Sequence, residues 1–254
     1  MKNSIPEPGI STAMVLAAGF GTRMKDLTIP LPKPMLPLDS QRIIDVILKK
    51  LSFQGFRRVV INLHYFADQL ERYVGNGERY GLQVFYSEEE TILDTGGGIA
   101  NAERYFSGET ILGVNSDVLS DISFAELFDH HRNFNPLATM AVMPSRNNRD
   151  YSLVVYAREN HLRGFLKRNQ PIPEDYHSGI FTGFQILTPE ARHYLKPEPQ
   201  SIMSAFYRRA MEEGKDIQIY TFNGVWIDLG TKDQYLAFKN SLENHQVNLA
   251  PFME

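Results

Sequence analysis

Ala13-Met14-Val15-Leu16-Ala17-Ala18-Gly19-Phe20-Gly21-Thr22-Arg23-Met24 is a short apolar strand that runs into a loop of small residues, and Pro32-Lys33-Pro34-Met35-Leu36-Pro37 follows it closely. Small residues let backbone N–H groups approach an anion. Arg23 and Lys33 can neutralise charge on a phosphate chain, and the prolines on both sides of Lys33 restrict the backbone that presents it. The stretch therefore reads as a phosphate-handling loop with two cations of its own. Two familiar alternatives fail. A Rossmann dinucleotide site needs a third glycine where Met24 stands, and an acidic residue at the end of the second strand, where Asn62 stands. A Walker loop needs Gly-Lys-Ser or Gly-Lys-Thr, which is absent.

Outward from this loop, apolar runs alternate with helical patterns, the arrangement that builds a mostly parallel sheet with crossover helices. Residues 42–53 read as a helix with Ile43, Ile44, Ile47, Leu48 and Leu51 on one face. Residues 58–62, 82–86 and 110–115 read as strands, 68–74 as a short helix, and 97–105 as a helix that begins after a glycine run. Ser123, with Glu126 three residues on, forms a capping box for a helix to about residue 133. The second half changes character: 137–143, 151–157, 162–167 and 180–187 are strand candidates with no long helix between them, which predicts an antiparallel or mixed extension. Thr188-Pro189 caps a short helix, 201–213 is an amphipathic helix, and 217–221 with 225–227 form a last pair of strands. Thr231, with Gln234, caps a closing helix to about residue 240. The expected fold is α/β: a Rossmann-like, mostly parallel or mixed sheet flanked by helices, with a β-rich second half.

With 254 residues, 43% of them hydrophobic, the chain can bury one large core, so a single domain over 12–254 is expected after a loose extension over 1–11. A formal net charge of −4 argues against a nucleic-acid partner, which would need a clustered excess of Lys and Arg. The pairs Arg57-Arg58 and Arg208-Arg209 read as solvated ends of elements. No cysteine is present, which fits a reducing compartment, and cytoplasm is the expectation. No apolar run approaches the length of about 18 residues that would suggest a membrane span.

The 13–37 stretch resembles the signature of the sugar-1-phosphate nucleotidyltransferases: leucine, two alanines, glycine, any residue, glycine, threonine or serine, arginine, then a lysine between prolines. The resemblance implies a GT-A-like nucleotide-diphospho-sugar transferase fold, with a nucleotide-binding half over about 12–120 and a sugar-binding half over about 121–240. It implies that Leu16, Ala17, Ala18, Gly19, Gly21 and Thr22 hold the triphosphate and that Arg23 and Lys33 are the catalytic cations. Asp117 follows the apolar strand that ends at Asn115, and strand ends are where open α/β sheets bind ligands. An aspartate there is on its own ordinary turn or cap chemistry; the resemblance makes it a ligand for Mg²⁺, with Asp228 of Trp226-Ile227-Asp228-Leu229-Gly230-Thr231 as the second.

Leu93-Asp94-Thr95-Gly96-Gly97-Gly98 is costly in an ordered backbone unless something packs tightly on it. In relatives this segment closes on base and ribose, which implies Thr95, Gly96 and Gly97 as nucleotide contacts, and its form is similar to the Glu-Thr-Gly-Gly-Gly of N-acetylmuramate-1-phosphate uridylyltransferases. On the sugar side the resemblance implies Asn115, Thr182, Gly183 and Lys167, the last without the glutamate that many relatives place beside it. Gly183 is equally well read as a bulge. Of the seven histidines, none has a metal-site spacing; His130-His131 reads as surface, and His177 stands just ahead of the sugar-side strand.

The implied reaction joins a nucleoside triphosphate to a sugar 1-phosphate and releases pyrophosphate, with Mg²⁺ as cofactor. UTP with N-acetylmuramic acid 1-phosphate is the first expectation for substrates, and mannose- or heptose-1-phosphate guanylyl transfer the alternative. A non-catalytic sensor of nucleotide-sugars would be free to lose the charged set, yet Arg23, Lys33, Asp117 and Asp228 are all present. Assembly, including a homodimer, is open at this level.

Overall fold

The computed structural model describes residues 11–28, 31–147 and 149–254. The extension expected over 1–11 falls outside these residues except for Ser11, whose carbonyl accepts hydrogen bonds from the Arg57 and Arg58 amides. The chain begins with β1 (Thr12–Leu16), a hairpin of β2 (Pro37–Leu38) and β3 (Gln41–Arg42), α1 (Ile43–Phe53), β4 (Arg58–Leu63), α2 (Ala67–Val74) and β5 (Gln83–Glu88). It continues with α3 (Asp94–Asn101), β6 (Ile111–Asn115), β7 (Val118–Ser120) and α4 (Phe124–Phe134). The second half supplies β8 (Ala138–Pro144), β9 (Leu153–Tyr156), β10 (Leu162–Leu166), β11 (His177–Leu187) and α5 (Pro189–Arg192). A π-helical turn (Met203–Arg208) then leads into α6 (Arg209–Glu212), β12 (Ile217–Thr221), β13 (Trp226–Asp228) and α7 (Lys232–Glu243).

Among the described residues nine strands share one sheet, along the path β10-β9-β11-β6-β1-β4-β5 with β8 and β12 branching from β11. β5, β4, β1 and β6 are mutually parallel, as the alternation of strands and helices predicts. β11 then pairs antiparallel with β6, β8 and β9, so the expected mixed extension is joined edge to edge with the parallel part. Strand side chains alternate between faces. Ala13 and Val15 of β1 therefore enter one apolar core with α1, α4 and α7, while Met14 enters a second core with Ile99, Phe106, Phe206 and Tyr207. Met24, in the place of the missing third glycine, is fully buried in the first core.

The caps form largely as the residues dictate. Ser123, Thr188 and Thr231 side chains accept from the amides of Glu126, Ala191 and Gln234. The reciprocal half of the Ser123 box is replaced, because Glu126 accepts from the Tyr220 hydroxyl instead. Five expectations need correcting. α3 starts at Asp94 and contains the glycine run rather than following it. The amphipathic stretch over 201–213 winds partly as a π-helical turn. The last two strands do not pair with each other: β12 runs parallel to β8, and β13 pairs with β7 in a separate ladder. His131 is buried, with Nδ1 2.8 Å from the Thr139 hydroxyl, and His130 packs on Phe134 and Tyr220. Arg58, too, is only partly solvated, since its guanidinium donates to the Tyr105 carbonyl at 2.9 Å.

Candidate active site

The carboxyl ends of the four parallel strands open on one cavity of about 370 Å³. β1 has β4 on one side and β6 on the other, so the cavity sits where the chain's strand order reverses, the usual ligand position in an open α/β sheet. Leu16, Ala17, Ala18, Gly19, Gly21, Thr22 and Arg23 all line it, together with Lys33, Thr95, Asn115 and Asp117. The loop leaves β1 with small side chains, turns through Gly21 at φ 63°, and continues as a 3-10 helix (Thr22–Thr28). An added Cβ at Gly19 would meet nothing within 4 Å, so the open space there belongs to the cavity rather than to packing.

Two elements bring the charges together. Pro32 and Pro34 bracket Lys33, which opens a single 3-10 turn (Lys33–Met35) anchored by its buried Pro34 and Met35, and the Lys33 ammonium lies 2.5 Å from Asp117 Oδ2. Arg23 Nη2 stands 3.9 Å from the same oxygen. The Leu229 amide donates to the Asp117 carbonyl at 2.8 Å, which ties β13 and its Asp228 to the end of β6. Asp228 is itself held on both oxygens: Oδ1 accepts from the Gly230 backbone amide at 2.7 Å, and Oδ2 from the Tyr151 hydroxyl at 2.9 Å and the Gln234 side-chain Nε2 at 3.3 Å. Burial, reinforced by that carboxylate, pushes the Tyr151 hydroxyl up to about 12, so it remains a donor.

Asp117 and Asp228 offer carboxylate oxygens, the donor type a hard divalent cation takes. A carbon added to Gly230 would lie 2.7 Å from Asp228 Oδ1 and 3.2 Å from Arg23 Nη2, so the missing side chain leaves a cradle between a carboxylate and a guanidinium. Among the described residues no cluster of three or more Asp, Glu, His or Cys could hold a metal unaided. Mg²⁺ asks for less, since one or two carboxylates plus substrate phosphates and water complete its shell.

Several expected contacts lie elsewhere. Gly96 and Gly97 give their amides to the Gln200 carbonyl at 2.9 and 3.2 Å, and a Cβ on Gly97 would come within 2.1 Å of the Glu198 carbonyl oxygen. These glycines let α3 press against the backbone of residues 198–202. Thr182 is fully buried and donates its hydroxyl to the Ala141 carbonyl, while its own carbonyl accepts from the Trp226 indole. Gly183 stands at φ 87° where the β11–β8 register shifts, and its missing side chain accommodates Asn115 at 3.0 Å. Lys167 is exposed just beyond β10, the edge strand at the far end of the sheet from β5. His177 is the exposed first residue of β11.

Other lining residues carry no motif. Asn62 is the penultimate residue of β4 and Glu89 directly follows β5, so the strand-end rule alone would have marked both. Ile92 and Ser116 give no sequence signal, and Tyr151 and Gln234 reach Asp228 from segments that only the fold brings near.

Residues 12–245 match the family model described as Nucleotidyl transferase. The chain belongs to that family. Within the nucleotidyl transferase family, it is 30% identical over 230 residues to a mannose-1-phosphate guanylyltransferase of Mycobacterium tuberculosis, covering 88% of this chain and 62% of that protein. It is 26% identical to the D-glycero-alpha-D-manno-heptose 1-phosphate guanylyltransferase of Aneurinibacillus thermoaerophilus, over 92% of this chain and 99% of that one. The chain spans 60% to 62% of the length of the first curated relatives it matches. Its fold is that of HddC from Yersinia pseudotuberculosis complexed with GMP-PN, at TM-score 0.75 and 20% identity over 91% of this chain and 99% of that one. No helix among the described residues is long and apolar enough to cross a membrane.

Proposed function

We propose that this chain is a Mg²⁺-dependent cytoplasmic enzyme that transfers a nucleotidyl group from a nucleoside triphosphate to a sugar 1-phosphate. The observation that carries the reading is the convergence of Arg23 and Lys33 on Asp117 at a strand-end cavity that the small-residue loop also lines. A sugar-phosphate oxygen attacks the α-phosphorus in line, the bond from that phosphorus to the bridging oxygen breaks, and pyrophosphate leaves with the electron pair. A phosphate monoester has its second pKa near about 6, so the nucleophile is already anionic at neutral pH and needs no base. The barrier is charge: two polyanions must meet, and charge builds on the non-bridging and leaving oxygens.

In this reading Lys33, presented by its rigid turn, moves from Asp117 to the α-phosphoryl oxygens, and Arg23 steadies the departing pyrophosphate. The loop amides over 18–22 hold the triphosphate, and Asn115, which lines the cavity, would meet the sugar phosphate. Asp117 and Asp228 would hold Mg²⁺, which supplies Lewis-acid neutralisation of the phosphates.

Two substrate pairs compete. UTP with N-acetylmuramic acid 1-phosphate rests on the Asp94-Thr95-Gly96-Gly97-Gly98 likeness, but Gly96 and Gly97 are accounted for by packing on residues 198–202. GTP with mannose or heptose 1-phosphate rests on the names of the relatives and is the pair we favour. A pyrophosphate-release screen of four nucleoside triphosphates against a panel of sugar 1-phosphates, with Mg²⁺ and with a chelator, tests both. GTP with mannose or heptose 1-phosphate should turn over fastest and only with Mg²⁺. Turnover with no pair overturns the enzymatic reading in favour of a nucleotide-sugar sensor.

A further inference from the structure

Asn62 and Glu89 face the cavity from the ends of two adjacent parallel strands, and the catalytic scheme above uses neither. Both are almost wholly buried, at 3% and 5% exposure. They form one directional chain of hydrogen bonds. The Ala17 amide donates to Asn62 Oδ1 at 2.7 Å, Asn62 Nδ2 donates to Glu89 Oε1 at 2.7 Å, and the Leu93 amide donates to Glu89 Oε2 at 2.9 Å. Only one orientation of the Asn62 amide works, because the reverse would set a donor against the Ala17 N–H and an acceptor against the carboxylate.

The pair is also boxed in. A Cβ on Gly98 would lie 2.6 Å from Glu89 Oε1 and 2.7 Å from Asn62 Nδ2, so α3 can lie across the pair only with glycine there. His64 Nδ1 meets the Glu89 carbonyl at 2.8 Å, which assigns the proton to that nitrogen and fixes the backbone of residue 89 as well. Ala17 begins the phosphate loop, and Leu93 immediately precedes Asp94 and Thr95, the cavity residues at the start of α3.

We infer that the Asn62–Glu89 pair is a positioning strut that sets the distance between the phosphate loop and the opposite wall at α3, and through it the affinity for the nucleoside triphosphate. The inference rests on the proposed nucleotidyl transfer for its ligand, and on the hydrogen-bond chain alone for the strut. Preorganised walls bind more tightly because less ordering remains to be done on binding. Neither side chain is a catalytic residue in this scheme.

The directionality supplies its own test. Asn62→Asp sets two carboxylates side by side, and Glu89→Gln sets an amide donor against either the Leu93 N–H or Asn62 Nδ2. In the double variant Asn62→Asp/Glu89→Gln, every donor again meets an acceptor. The new carboxylate at position 62 accepts from the Ala17 amide and from the new side-chain amide at position 89, whose oxygen accepts from the Leu93 amide. GTP and UTP are titrated calorimetrically with Mg²⁺ into the full chain and the three variants, KM and kcat are measured, and hydrogen exchange is followed at the Ala17 and Leu93 amides without ligand. Each single variant should weaken triphosphate binding by about tenfold or more, with KM moving more than kcat, and should speed exchange at both amides. The double variant should return both readouts to within about threefold of the parent.

Unchanged binding and exchange in the single variants, or a double variant as impaired as the product of the singles, overturns the strut. If either single variant does not fold, Gly98→Ala is read in its place: weaker binding and faster exchange support the strut, and parental values overturn it. A parent chain that binds no nucleoside triphosphate overturns the nucleotidyltransferase reading, while exchange at Ala17 and Leu93 still decides the strut.

Discussion

The Lys33 ammonium and the Asp117 carboxylate neutralise one another across 2.5 Å in the lining of the cavity, and the proposed reaction gives the ammonium to the α-phosphoryl group and the carboxylate to the metal. Removing a preorganised charge aimed at a transition state lowers turnover on the order of 100-fold to 1,000-fold. Lys33→Ala and Asp117→Ala are each expected to lower kcat for pyrophosphate release by that much while circular dichroism shows the parental fold; full activity in either sinks the assignment. Thr182 makes the opposite case. Its hydroxyl is spent on the Ala141 carbonyl inside the sheet, so Thr182→Val should cost stability of about 1–3 kcal/mol in urea unfolding, with the KM for either substrate within twofold of the parent. A selective rise in the sugar-phosphate KM would return Thr182 to the sugar contacts. The difference between these residues was partly legible in the sequence. Arg23 and Lys33 stand out because a cation among glycines and prolines has no packing use, whereas Thr182 and Gly183 look alike whether they touch a ligand or a neighbouring strand. Asn62 and Glu89 were legible only as strand ends, since their hydrogen-bond partners lie 45 and 4 residues away.

At the scale of the element, α3 shows why glycine runs mislead. Each glycine inside a helix costs about 1 kcal/mol relative to alanine, yet this helix keeps three of them in succession. The offset is close approach: residues 198–202 on one side, the Asn62 and Glu89 side chains on the other. Gly97→Ala would force a carbon within 2.1 Å of a backbone oxygen, so the helix must shift, and destabilisation of about 1–3 kcal/mol is expected by urea unfolding. Gly19→Ala, which meets nothing within 4 Å, should leave that midpoint unchanged and serves as the contrast. Periodicity finds helices from apolar spacing, and a run of glycines carries none; the start of α3 was therefore set too late in the sequence. Elements with a strong apolar face, such as α1, or with a side-chain cap, such as α4 and α7, sit within about three residues of where their sequences put them.

For the whole molecule, acid should be a weak point at the junction of α4 with β8. Burial of His131 against Thr139 pulls its imidazole down to about 4 from the ordinary 6.5. Between those values the unfolded chain binds a proton that the folded chain refuses, so stability is lost as pH falls through that window, by on the order of 3 kcal/mol in full. Urea unfolding at about pH 7.5 and pH 5 should show the loss, and His131→Gln should flatten the difference; an equal slope in that variant would move the acid sensitivity elsewhere. The histidine pair looked like surface because its two residues sit on a helix among charged neighbours, and only docking of α4 on β8 turns one inward. The α/β class itself was legible, because the first half alternates strand and helix without interruption; the branching of β11 was not, since a long strand does not announce how many partners it has.

β6 is bonded to β1 along one edge and to β11 along the other, so the part that carries the phosphate loop and the part that follows it are one continuous sheet. Such a sheet has no hinge across it. Two lobes cannot swing shut on a substrate without breaking the ladder at β6, which confines adjustment to segments hung from the strand ends, such as residues 167–176. Exchange of such segments between relatives should then leave the charged centre at the end of β6 in its geometry.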